Sequence, residues 1–108
     1  MPVRSTLARA AAGALLANAV PHGVAALIRR PFPTPFADPP GRGLSQPGTN
    51  LAWSATNAAL GAALLRGYDG STPERAALLA SGVLSGAGLA VYFGRLDLGV
   101  PPADSPGD

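Results

Sequence analysis

Residues 18–53 read NAVPHGVAALIRRPFPTPFADPPGRGLSQPGTNLAW. The stretch holds the only histidine (His22), the only tryptophan (Trp53), two of the three phenylalanines and seven of the twelve prolines. Six of those prolines, at 31, 33, 35, 39, 40 and 47, crowd residues 29–49. Proline has no N–H and fixes φ, so this segment can be neither a helix nor a central strand. Extended, polyproline-like backbone is predicted there, with turns at Pro39-Pro40-Gly41 and Pro47-Gly48. Two forms of such a loop are open. One is a stiff spacer in water. The other folds back on a membrane face, with Phe32 and Phe36 at the interface that aromatic side chains favour.

Working outward, alanine-rich apolar blocks lie on both sides of this stretch. Apolar residues make up 47% of the 108 residues, an ordinary share, but they are gathered in three blocks. All six acids lie outside those blocks, and of the eight arginines only Arg9 lies inside one. Soluble helices need a charged face. These blocks are apolar nearly all round, and a chain this short cannot bury three of them within itself. Lipid is the better explanation.

The spans expected are about 6–28, 50–66 and 73–95, within one membrane domain over 1–96, followed by a disordered tail at 97–108. The first, about 23 residues, would reach roughly 35 Å, enough for a hydrocarbon core of about 30 Å. Pro21 predicts a kink in it. The second is the shortest, and Trp53 near its start suits an interfacial anchor. The third opens on Ser71-Thr72-Pro73-Glu74, a strong helix start, and then runs 18 residues without charge from Ala76 to Phe93. The fold class is therefore an all-α, three-helix transmembrane bundle with a proline-rich interhelical loop. Its expected place is the cell (inner) membrane, as a multi-pass protein. A rival reading of the N-terminus is a signal peptide cleaved after Ala19, with Arg4 and Arg9 as its basic start. Arginine counts on the two sides are tied at four each, so orientation stays open.

Polar groups at membrane depth are expensive and therefore informative. Asn18, His22 and Arg29 would fall within about 40° of one another on a regular helix. They form a candidate intramembrane cluster, for proton sensing or ligand binding, or simply for bonding between helices. Asn57 is the natural cross-helix partner for Asn18 or His22, because an amide both donates and accepts. In the third block Gly82, Gly86, Ala90 and Gly94 recur every four residues, a ridge on which another helix can pack closely. Intramolecular use of that ridge is favoured over a homodimer.

One histidine, no cysteine and no acid within the apolar blocks leave no metal site of the usual zinc type and no histidine–acid machine. No cofactor is expected and catalysis is improbable. The net charge of +2 is scattered, which points away from nucleic acid. The partners expected are the lipid bilayer, together with a second copy or a larger membrane protein.

The motifs Asn18-Ala-Val-Pro21-His22, Thr34-Pro35-Phe36, Pro39-Pro40-Gly41, Leu44-Ser45-Gln-Pro47 and Asn50-Leu-Ala-Trp53 resemble small bacterial integral membrane proteins of unknown function. These share N-x-[VLI]-P-H, T-P-F, P-P-G, L-S-x-P and N-x-x-W in that order. The resemblance covers about a third of the chain. It implies a three-span protein with an ordered, docked loop and no particular activity. Ser54 follows Trp53 here, where glycine is usual in those proteins, which bears on how closely this turn packs. The expected role is a non-enzymatic structural or accessory membrane protein. The alternative is a homo-oligomeric transporter or channel subunit built around Asn18, His22 and Asn57.

Overall fold

A computed structural model describes residues 2–96 of the chain. The expected tail at 97–108 lies outside the described residues. Three helices account for most of the structure: α1 (Pro2–Leu27), α2 (Pro47–Ala63) and α3 (Thr72–Gly94). Between α1 and α2, two short strands, β1 (Phe32–Pro33) and β2 (Leu44–Ser45), pair antiparallel with Phe32 opposite Ser45. Two helices, over Val3–Leu27 and Thr72–Gly94, are long and apolar enough to cross a membrane, with mean hydropathy 1.4 and 1.7. The 17-residue α2 is shorter, rising about 26 Å.

Helix boundaries differ from the expectation in instructive ways. Pro47 does not mark a turn. It occupies the first turn of α2, where the missing N–H would have had no partner anyway. Pro21 leaves α1 unbroken as a helix over 26 residues. The C-terminus of α1 closes in a Schellman arrangement: Arg30 N–H donates to Ala25 O at 2.8 Å and Arg29 N–H to Ala26 O at 3.1 Å. Arg29 takes the left-handed position at φ 57, which usually falls to glycine. At the other end, Ser71 caps α3 by accepting from Glu74 N–H.

The helices do not form a bundle of mutually packed neighbours. α1 lies in the middle and packs on both α2 and α3, while α2 and α3 make at most marginal contact with each other. Small residues and hydroxyls explain the close approach. A Cβ on Gly13 would strike the Leu78 carbonyl and the Gly82 backbone, so α1 and α3 touch backbone to backbone there. A Cβ on Gly61 would lie 2.8 Å from Leu16 Cγ, which seats α2 on α1. Ser81 Oγ donates to Ala10 O at 2.6 Å from the α3 side, and Ser54 Oγ to Ala19 O at 2.7 Å from the α2 side. Ser54 thus packs closely against α1. The expected ridge on α3 is used only in part. Gly82 meets Gly13, but a Cβ on Gly86 or Gly94 would touch nothing within 4 Å.

Burial is inverted relative to a water-soluble domain. The buried apolar side chains are Pro33 and the alanines at 12, 19, 25 and 37, whereas Arg9, His22, Thr34, Ser45, Asn50, Asn57 and Glu74 are all buried. Large apolar side chains point outward, including Val83 at 70% and Leu84 at 73% exposure. A residue carrying charge or an amide is normally kept in water unless it is paired. Here each such group has a partner, and the oily surface is outside.

Candidate functional site

Where α1 enters the loop, one amide organises everything around it. Asn50, in the first turns of α2, is fully buried. Its Nδ2 donates to Phe32 O at 3.0 Å, Ser45 O at 3.2 Å and Gln46 O at 3.3 Å, sharing two hydrogens among three carbonyls. That fixes Oδ1 as the acceptor facing His22 Nδ1, 2.8 Å away. The neutral His22 ring therefore carries its proton on Nδ1 and leaves Nε2 as an acceptor. Buried Thr34 and Ser45 join the two strands through their hydroxyls at 2.6 Å, and Thr34 Oγ1 also accepts from Phe36 N–H. Gly41, at φ 73, turns the chain so that its N–H reaches Thr34 O at 2.8 Å. Tyr92 near the end of α3 donates its hydroxyl to Gly41 O at 2.8 Å. The proline-rich segment is thus an ordered cap docked on all three helices.

Aromatic rings enclose the imidazole. Phe32, Phe93 and Trp53 lie edge-on to it at 5.5, 6.0 and 6.5 Å between centroids. Phe32 also packs on Phe93 at 4.6 Å, so it faces inward rather than outward as expected. Phe36 is exposed and sits against Trp53 at 5.2 Å.

One turn further along α1, half-buried Asn18 donates from Nδ2 to Asn57 Oδ1 at 3.2 Å. Asn57 in turn donates to Trp53 O at 2.8 Å. Asn18 and His22 thus share a face of α1, as their spacing requires, but each bonds a different asparagine of α2. Arg29 is not part of the cluster. The helix has already ended, its backbone has turned left-handed, and its side chain is exposed.

Two spaces adjoin at this seam. Because α2 and α3 diverge across α1, an open groove of about 590 Å³ runs between them, with Asn18, Asn57 and Ser85 among its lining. Under the cap lies a smaller pocket of about 130 Å³, lined by His22, Thr34 and Tyr92 among others. Asn18, Trp53 and Leu89 border both.

The opposite end carries an ion pair that sequence reading missed. Arg9 Nε approaches Glu74 Oε2 to 3.2 Å, with both side chains over nine-tenths buried. The Nε–H is not aligned for a hydrogen bond, so the attraction there is Coulombic, while Arg9 also donates to Leu64 O at 2.8 Å and lies 6.0 Å over the Tyr68 ring. Glu74 also accepts from Asp69 N–H. Asp69 in turn accepts from Ser71 N–H at 2.8 Å, and that bond holds its carboxyl below the usual carboxylate range. The signal was present: Arg9 was the one charge inside an apolar block, and such a charge needs an acid nearby. Among the described residues no three His, Asp or Glu side chains come together.

Comparison with known protein families, curated proteins and solved structures finds no match to this chain.

Proposed function

We propose that this protein is a small multi-pass membrane protein, non-enzymatic, with a structural or accessory role beside a membrane partner. The inverted burial carries the reading: Leu, Val and Ile side chains coat the outside while paired polar groups fill the inside. In water such a surface would drive aggregation; in a bilayer it is the stable arrangement. All three helices cross, with α2 relying on local thinning or snorkelling at its ends. The docked cap and the ion-paired end lie at opposite membrane faces. Resemblance to small bacterial membrane proteins agrees with a cell-membrane location. Retention of the whole N-terminal segment is supported by its packing, since cleavage after Ala19 would take away Arg9 and Gly13, on which α3 is seated. The polar side chains of the seam bond one another within one chain, which favours a structural use over a transport path.

The chain contains no cysteine, so single introduced cysteines report its topology cleanly. Arg42→Cys in the cap and Asp69→Cys in the α2–α3 connection should be labelled by a membrane-impermeant maleimide from opposite sides of sealed vesicles. Labelling of both from one side would overturn the three-span arrangement, and the side found for each settles orientation. Native mass spectrometry from nanodiscs then separates the roles. Recovery with a different protein supports the accessory role, and a homo-oligomer alone supports the transporter.

A further inference from the structure

Among the described residues, His22 is a buried titratable side chain whose second ring nitrogen no other group engages. Its exposure is 2%, its Nδ1 is taken by Asn50, and Nε2 has no hydrogen-bond partner among the described residues. His22 lines the small pocket beneath the cap, and with Nδ1 held by Asn50 the ring's free nitrogen for that space is Nε2. Beside it, Asn18 commits one N–H to Asn57 and keeps the other. An acceptor and a donor therefore meet at a pocket whose walls include Trp53, Phe93 and Leu89, with Thr34 and Tyr92, whose hydroxyls are already engaged, on the cap side.

Size and access narrow what can enter. A cavity of about 150 Å³ accommodates a benzene ring, so 130 Å³ is the space of one six-membered ring. The pocket shares Asn18, Trp53 and Leu89 with the open groove between α2 and α3, so the groove is its neighbour on the lateral side. That groove is largely apolar and several times larger, which suits a hydrocarbon tail.

We propose that groove and pocket form one lateral-entry site for a membrane amphiphile of the alkylphenol or quinol type. The tail lies along α1 between α2 and α3. The ring enters beneath the cap, where its hydroxyl donates to His22 Nε2 and accepts from the spare Asn18 N–H. A ring with a hydroxyl matches both the aromatic walls and the paired acceptor and donor; a linear alcohol leaves the walls unfilled. The inference rests on the bilayer reading above.

Trp53 borders both spaces and is the only tryptophan, so its emission reports occupancy directly. The full-length protein in zwitterionic nanodiscs would be titrated with 4-decylphenol, with decylbenzene and with 1-decanol. The expected result is a saturable change with 4-decylphenol at one molecule per chain, and about tenfold weaker binding of decylbenzene for the lost hydrogen bonds. Gly88→Leu fills the groove at a position where a Cβ meets nothing within 4 Å, so it should fold normally yet abolish saturation. His22→Phe should bring 4-decylphenol down to the level of decylbenzene. Equal, unsaturable changes with all three compounds, or unaltered titration of Gly88→Leu, would overturn the site and leave bulk partition only. A protein that fails to remain in carbonate-washed membranes would instead overturn the bilayer reading itself.

Discussion

The two ends of this molecule solve the same problem with different chemistry. At the capped end, α1 and α2 are joined through an imidazole and an amide that stay neutral, and Asn50 distributes its bonds over backbone carbonyls of a folded loop. At the other end, α1 is joined to α3 and to the α2–α3 connection through a buried guanidinium and carboxylate. Both ends act through α1, which is why α2 and α3 need scarcely touch. Neutral networks tolerate loss of one bond, because amide groups left behind cost a desolvation penalty of modest size. Ionic ones do not, because the charge left behind has no water to turn to. The difference teaches where the fold is brittle.

The largest effect should come from breaking the ionic end. Glu74→Gln keeps an acceptor for Asp69 N–H but leaves Arg9 uncompensated, and should destabilise by about 3–5 kcal/mol in denaturant or steric-trapping measurements. Pairing Arg9→Met with Glu74→Leu should recover most of that loss; a double variant as unstable as the single one would show that charge balance is not what matters there.

Next comes the neutral end. Asn50→Leu strips partners from His22 and three loop carbonyls, and should cost about 1–3 kcal/mol. The sharper readout is protease sensitivity confined to residues 29–49, since the helices keep their own contacts. Cleavage spread over the whole chain would mean that the cap and the helices fold as a single unit.

A smaller effect of opposite sign is expected where the left-handed residue closes α1. Arg29→Gly removes the Cβ conflict and should stabilise by about 1 kcal/mol, seen as a raised Tm. A lowered Tm would show that the exposed arginine contributes more than its backbone costs.

The smallest effect is a pH dependence at the ionic end. Asp69 titrates lower in the folded protein than in the unfolded chain, so its contribution is present above the unfolded pKa and fades as pH falls through the folded one. Asp69→Asn should flatten that part of the acid limb of stability and leave neutral pH unchanged. The residue is solvent-exposed, and an acid limb identical to the parent's would assign it to other carboxylates.

Much of this architecture was legible in the order of residues. Apolar blocks of helical length, the start at Ser71-Thr72-Pro73-Glu74 and the proline run each have one local outcome, because a missing N–H or an all-round apolar helix leaves few alternatives. The pairing of Asn18 with Asn57 was also visible, since amides within apolar helices need partners. Arg29 was misplaced with them because spacing along a helix says nothing about where the helix stops. The central role of Asn50 and the Arg9–Glu74 pair could not be read locally. Their partners lie 28 and 65 positions away in the chain and are chosen by how α2 and α3 seat on α1.

Residue order alone accounts for three helices, two of them long and apolar enough to cross a membrane, and for a loop that cannot be helical, because these follow from backbone donors and side-chain polarity residue by residue. Tertiary structure alone decided that α1 is central, that the loop is a cap, and that a groove opens between α2 and α3. Those features depend on which small residues meet: Gly13 on Gly82 and Gly61 on Leu16 set how closely each helix lies on α1. Close approach is a property of two surfaces together, and no single stretch of chain contains it.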